Sequence, residues 1–308
     1  MNNAPGSKNS SLYHKSVLVE EVLTTLNPQP GETYIDVTFG GGGHTKAILE
    51  KANCTVIGLD WDKEAIERNS IAIKEEFGSR FSMLWGNFAH LHRILKKAGI
   101  TKVNGFLADF GTSQFQIHQQ AGFSFRNESI LDMRMSPAHQ KLQARDIVNR
   151  YSESDLIKVL QDYGEESYAK KIARAIIEQR SIKPFKTTND LADLITTVIT
   201  GRSGSKQHFK IHPATRTFQA LRIEVNNELH NIQLFLDAAV NFLAPEGRIV
   251  CISFHSLEDR LVKNFIKERS QQLVNLTKKP LQASAKELAD NPSARSAKLR
   301  AAQKVSNT

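Results

Sequence analysis

From Thr33 onward, apolar runs and amphipathic stretches alternate along the chain. Five short apolar runs read as buried strands: Thr33–Thr38, Cys54–Asp60, Phe81–Trp85, Val103–Asp109 and Arg248–Phe254. Between the first four, apolar positions three and four residues apart predict helices around Thr45–Lys51, Lys63–Phe77 and Phe88–Ala98. A strand that is apolar throughout is one covered on both faces. The β-α-β-α order therefore predicts a parallel, doubly wound sheet between two helical layers. Right-handed crossovers bring the C-terminal strand ends to one rim, where such sheets bind ligands.

After Asp109 the rhythm changes. Residues 118–213 carry helical patterns and no convincing strand, and read as an all-helical insertion into a sheet domain made of residues 1–117 and 214–308. Leu191, Leu194, Ile195 and Val198 form one apolar stripe, with Thr187 and Asp190 spaced as a capping box ahead of it and Gly201 as its stop. Gly201 to Ser205 read as a loop. Beyond Pro213 one long helix is predicted, with Phe218, Leu221, Val225, Leu229, Ile232 and Leu236 on one side, ended by Pro245 and Gly247. Ser256 and Asp259 have capping-box spacing after the fifth strand. Weak alternation in the tail suggests an antiparallel pair, Gln272–Thr277 and Ala297–Val305.

The length of 308 residues agrees with a main domain plus an insertion. No run of about 18 uncharged apolar residues occurs, so no membrane partner is expected. The polar N-terminus lacks the apolar segment of a signal peptide, and a cytoplasmic location is expected. Cys54 and Cys251 each fall inside a predicted strand, as small core residues of a reducing compartment do. No Cys and His spacing matches a zinc site, and no metal is expected. The net charge is +9, and from Arg260 onward eleven Lys and Arg face three Asp and Glu. Such a segment suits a polyanion or is simply a solvated basic face.

The chemistry is concentrated in Ile35-Asp36-Val37-Thr38-Phe39-Gly40-Gly41-Gly42-Gly43-His44, a strand running through four glycines into a helix. Glycine permits the turn and lets a ligand approach the backbone. Asp60, closing the second strand, can accept both hydroxyls of a ribose. Glycines followed by an acid fit either a nicotinamide or an S-adenosylmethionine enzyme. Thr45 and Lys46 occupy the place of the last glycine of G-x-G-x-x-G, and the helical block stands where a second mononucleotide half would be. Both features favour S-adenosylmethionine. Asp36 can orient the loop or meet the ammonium of a methionine moiety.

Asp109 ends the fourth strand, where it would face a transferable methyl group. Methylation at carbon 5 of a pyrimidine needs a thiolate, and neither cysteine is placed to supply one. An exocyclic amine instead needs a hydrogen-bond acceptor to draw its lone pair out of the ring, which Asp109 can be. Its other reading is a loop cap.

Several motifs carry a resemblance. Thr38-Phe39-Gly40 to His44, Asp109-Phe110-Gly111, Gly122-Phe123-Ser124-Phe125, Leu131-Asp132-Met133-Arg134-Met135, Tyr163-Gly164-Glu165-Glu166, His212-Pro213-Ala214-Thr215-Arg216-Thr217-Phe218-Gln219-Ala220 and Ser253-Phe254-His255-Ser256-Leu257-Glu258-Asp259-Arg260 occur in the order seen in the RsmH (MraW) family, which the sequence resembles from His14 to Lys304. The resemblance implies a class I methyltransferase (Rossmann-like) fold with an inserted all-helical substrate domain. It also implies N4-methylation of a cytidine in the decoding centre of small-subunit rRNA. Its cofactor positions fall on Gly42, Gly43, His44, Asp60, Phe88, Asp109 and Gln116. Phe88 could stack on adenine or be a core residue. The substrate side is expected at His212, Thr215, Arg216, Arg222, Asn226 and His255. Of these, Thr215, Arg222 and Asn226, with Gln219, form a stripe that either reads a base edge or is ordinary solvent-facing polarity. Departures are Ser16, Gly41, Thr45, Thr112 to Phe115, Ala121 and Ser293, among which Gly41, Ala121 and Ser293 stand where the family usually carries basic residues. The oligomeric state is left open, a dimer being one option.

Overall fold

The computed structural model describes residues 15–111, 121–124, 128–201 and 212–306. Its sheet holds β1 (Thr33–Asp36), β2 (Thr55–Asp60), β3 (Phe81–Trp85), β4 (Val103–Asp109), β5 (Leu243–Ser253), β6 (Leu273–Asn275) and β7 (Lys298–Lys304), in the order β3-β2-β1-β4-β5-β7-β6. The first five strands are parallel. β7 runs antiparallel to both β5 and β6, which is the tail pair expected from the sequence. Strand order reverses between β1 and β4, so the crevice of the doubly wound sheet opens there.

The continuous apolar runs are explained by two cores, one on each face. Successive side chains point to opposite sides of a strand. Ile35, Ile57, Phe106 and Cys251 enter one core; their neighbours Tyr34, Val56, Leu107 and Val250 enter the other. Helices α1 (Val19–Leu26), α2 (Gly43–Lys51), α3 (Lys63–Phe77) and α4 (Leu91–Lys97) cover the N-terminal half. Both cysteines are free and buried. Among the described residues, no helix is long and apolar enough to cross a membrane.

The insertion contributes α5 (Ala144–Arg150), α6 (Glu153–Gly164), α7 (Ala169–Ile182) and α8 (Thr188–Thr200), with its own core. Thr187 and Asp190 form the expected capping box of α8, and Gly201 ends that helix at φ 69°. Past residue 213 the single long helix expected from the sequence is instead two: α9 (Thr215–Asn226) and α10 (Glu228–Phe242). The break is Asn227 at φ 52°, a left-handed conformation that asparagine tolerates better than most residues. It changes the core as well. Phe218, Leu221 and Val225 pack with the helical unit, whereas Ile232 and Leu236 pack under the sheet. The helical core thus extends one helix beyond the 213/214 boundary suggested by Pro213. The remaining helices are α11 (Ser256–Glu268) and α12 (Ala285–Asp290). The capping box of α11 uses His255 and Glu258, not Ser256 and Asp259, because Ser256 is already inside the helix. Asp259 instead holds Arg300 of β7 at 2.6 and 3.1 Å.

Candidate active site

The ends of β1, β2 and β4 converge on one cavity, whose opposite wall is the α9–α10 junction. Gly40, Asp60, Phe88, Asp109, Asn226 and Glu228 all line it. With the open space of its mouth included it measures about 1150 Å³.

The glycine turn is fastened from below. Asp36, buried at the end of β1, accepts from the Thr45 hydroxyl at 2.8 Å and from the Thr38 amide at 3.2 Å. It does not line the cavity, so of its two possible roles the hydrogen bonds support orienting the loop. Thr38 Oγ1 in turn accepts the Asp109 amide at 2.7 Å, tying the ends of β1 and β4 together. The four glycines divide. Gly40 and Gly41 face the cavity. A Cβ on Gly42 would lie 2.4 Å from Ile73 Cδ1, and one on Gly43 would lie 2.3 Å from Ser16 Oγ. Those two glycines permit close packing and do not line the cavity.

Asp60 reaches across to the turn: Oδ2 accepts the Gly40 amide at 2.8 Å and Oδ1 the Asp62 amide at 2.9 Å. Each oxygen keeps a lone pair for a ligand hydroxyl. Burial pushes its pKa up to about 6, against the two amides. Phe88 lines the cavity while its other contacts are core ones: its ring centroid is 6.1 Å from that of Phe110 and 5.8 Å from that of Phe235. The core and ligand readings of Phe88 are compatible, since different parts of the ring serve each.

Asp109 is the most exceptional group. Burial pushes its pKa up to about 6, opposed by His44 and by the Gly111 backbone amide and reinforced by Asp36 and Glu258. Its Oδ1 is buried without a hydrogen-bond partner among the described residues. Its Oδ2 lies 3.9 Å from His44 Nδ1. A buried acceptor left unmatched costs about 1–3 kcal/mol, and at a cavity wall it is a place where a donor is wanted.

The residues expected on the substrate side are spread out. Asn226 is at the cavity, but its amide is a structural knot: it accepts from the Met135 amide at 2.9 Å and donates to Met133 O at 2.8 Å. Arg222 is held in a two-pronged pair with Glu228, at 2.9 and 2.8 Å. Arg216 donates to Glu165 O at 2.9 Å, and His212 Nδ1 accepts the Ala214 amide at 3.2 Å. Thr215 opens α9, and His255 caps α11. Apart from Asn226, none of these six lines the cavity. Gln116 and Thr112 to Phe115 lie outside the described residues.

Glu228, His255 and Glu258 do bring three metal-capable side chains within 4.8 Å of one another. As arranged, however, His255 Nδ1 accepts the Glu258 amide at 3.4 Å. A neutral ring then carries its hydrogen on Nε2 and offers no lone pair there. That nitrogen lies 3.2 Å from Glu258 Oε1, yet both atoms are buried without a hydrogen-bond partner among the described residues.

Sequence reasoning missed Thr45, Trp61, Met135, Glu228 and Asn231. Thr45 sits one turn into α2, facing Asp36, a signal available in the spacing. Trp61 and Met135 reach the cavity from loops that no periodicity announces, whereas Glu228 and Asn231 lie three apart on α10, a helical spacing present in the sequence. At the rim, Trp85 of β3 and His139 of the helical unit bring their rings to 5.2 Å, with Lys63 Nζ 5.2 Å from the indole centroid.

Comparison with known proteins agrees with this geometry. Ribosomal RNA small subunit methyltransferase H of Sulfurihydrogenibium sp. (strain YO3AOP1) is 47% identical over 295 residues, covering 95% of this chain and 99% of that protein. The protein of the same name from Carboxydothermus hydrogenoformans is 43% identical over 311 residues, covering 95% and 98%. A solved Streptococcus mutans methyltransferase in complex with SAH aligns over 94% of this chain and 99% of its own, at 10% identity and a TM-score of 0.46, too distant to add to the argument. The sheet order leaves no second mononucleotide half, because β7 returns antiparallel where a nicotinamide enzyme would continue in parallel. Residues 11–305 match the family described as MraW methylase, and with this fold and this cleft the chain belongs to that family.

Proposed function

We propose that the protein methylates the exocyclic N4 of a cytidine in the decoding centre of small-subunit rRNA, with S-adenosylmethionine as donor. The observation that carries this reading is the unmatched Asp109 Oδ1 at the cavity end of β4. Gly40, Gly41, Asp60 and Phe88 would hold the cofactor, and the chemistry of that set fits it: bare backbone, a carboxylate with free lone pairs, and an aromatic wall. When bound, the cofactor supplies an electrophilic methyl group on a sulfonium.

What the chain must supply is then positioning and a proton acceptor. The lone pair of an aromatic amine is delocalised into its ring. Asp109 accepts an N–H of that amine, restoring lone-pair density on nitrogen, and takes up the proton the nitrogen sheds. Attack at carbon 5 is disfavoured, since Cys54 and Cys251 line no part of the cavity and burial raises both thiol pKa values. The base must leave its stack to reach the pocket. Exposed Lys263, Lys267, Lys278 and Lys279 can offset that cost at phosphates. Arg260 and Arg300 of the same basic segment are already paired with Glu165 and Asp259.

Nucleoside mass spectrometry after incubation with labelled donor tests the proposal. N4-methylcytidine in small-subunit RNA is expected; label on adenine, on carbon 5 or on protein overturns it. Comparison of assembled subunits with naked rRNA identifies the form recognised. Separately, Asp60→Ala is expected to weaken cofactor binding by roughly 10–100-fold, the equivalent of losing one charged hydrogen bond. Calorimetry with the purified variant reads this directly, and unchanged affinity would remove Asp60 from the cofactor site.

A further inference from the structure

We propose that His44 is a positioning residue which, protonated on both ring nitrogens, holds Asp109 as a carboxylate. The inference deepens the reading above and rests on Asp109 accepting the amine hydrogen. It begins with the ring's other side. His44 Nε2 lies 2.8 Å from the Val17 carbonyl oxygen. A carbonyl can only accept, so Nε2 carries a hydrogen. Nδ1 then faces Asp109 Oδ2, 3.9 Å away, from a side chain that is 6% exposed. With a neutral ring, a nitrogen lone pair would face a carboxylate oxygen, and both are acceptors. One proton on Nδ1 converts that opposition into an ion pair.

The surroundings carry negative charge. Among the described residues, the charged groups acting on the pair are Asp36 from β1 and Glu258 from α11. Asp60 and Glu228 stand on the cavity walls. Arg222 is committed to Glu228, and Lys46 of α2 is exposed and turned to Glu50 and Glu76. His44 is therefore the group positioned to supply positive charge to Asp109 Oδ2. Oδ1, the unmatched oxygen, is left for the substrate. A contact of 3.9 Å is long for a hydrogen bond, but catalytic contacts often tighten only when ligands bind. No proton moves through His44 in this arrangement; it supplies charge and orientation.

His44→Gln tests the inference. The carboxamide keeps an N–H for the Val17 carbonyl and loses the positive charge. The acid limb of the kcat–pH profile is expected to move up by roughly one unit, since a neighbouring opposite charge is worth about 1–3 units to a buried carboxylate. A merely structural role would lower kcat without moving the limb, and an unmoved limb overturns the inference. A second measurement does not depend on turnover or on the variant folding. Nitrogen NMR of the wild-type protein at pH 7 is expected to show both His44 ring nitrogens protonated, and a singly protonated ring overturns it. Wild-type protein that forms no N4-methylcytidine at any pH would defeat the broader proposal instead, which separates the two failures.

Discussion

Asp109→Asn is expected to reduce methyl transfer by at least about 100-fold, the usual contribution of a positioned general base, and, with His44 also replaced by Gln so that no imidazolium loses its partner, to make the protein more stable at pH 7. The first effect follows because asparagine cannot take a proton. The second follows from burial. With a folded pKa of about 6 against the ordinary 3.8, the native state holds this proton more tightly than the unfolded chain. The stability contributed by the group is fully present below about pH 4 and is lost as pH rises through about 6. At neutral pH the ionised carboxylate therefore costs on the order of 2–3 kcal/mol, which a neutral side chain removes. Melting curves of the wild type and the double variant at pH 7 and at pH 4.5 check this: the gap should narrow on the acid side. In the wild type the acceptor form is lost as pH falls below about 6, and turnover should fall with it. A variant that turns over normally would exclude Asp109 from the reaction. A double variant that is both inactive and less stable would mean the carboxylate is there for the fold.

Glu228→Ala should be the most damaging substitution for stability near the site. It strands Arg222, whose side chain is 20% exposed and makes two hydrogen bonds to Glu228, leaving it only the longer-range attraction of Glu258. Breaking one side of a buried pair typically costs about 3–5 kcal/mol, a fall in Tm of roughly 10 °C for a protein of this size. Replacing both partners, with Arg222→Met and Glu228→Leu, should recover much of the loss, because no charge is then left unmatched. Thermal denaturation of the single and double variants decides the point. Equal losses in both would show that the pair matters through shape alone.

The sheet could be read from sequence because its signal is local. A buried parallel strand is a short apolar run, and β1 to β4 begin and end within one residue or two of the expected limits. Asp60 and Asp109 were legible for the same reason: each is the acid that closes such a run. The rest was not local. The helix after Pro213 keeps its apolar period across Asn227, so periodicity joins two helices that pack in different cores. Only the paired asparagines, with their tolerance of left-handed backbone, mark the break. Helix α1 carries apolar residues at Val19, Val22, Leu23 and Leu26, a stripe legible in the sequence although it lies ahead of the first strand. The polar stripe of α9 looked like a substrate surface. Arg222 and Asn226 instead meet Glu228 and Met133, partners far along the chain or beyond the helix break. Spacing shows which residues share a face; it does not reveal what that face meets.

The crossover at Asn227 also divides the pocket between two bodies. Asn226 and Met135 travel with the helical core, whereas Gly40, Asp60, Phe88 and Asp109 are fixed to the sheet. If the proposed function holds, a tilt of one body against the other would change the aperture for a base and leave Gly40, Asp60 and Phe88 in place. Lengthening or stiffening the chain at this elbow therefore offers a way to alter which RNA is admitted without altering how tightly the donor is held.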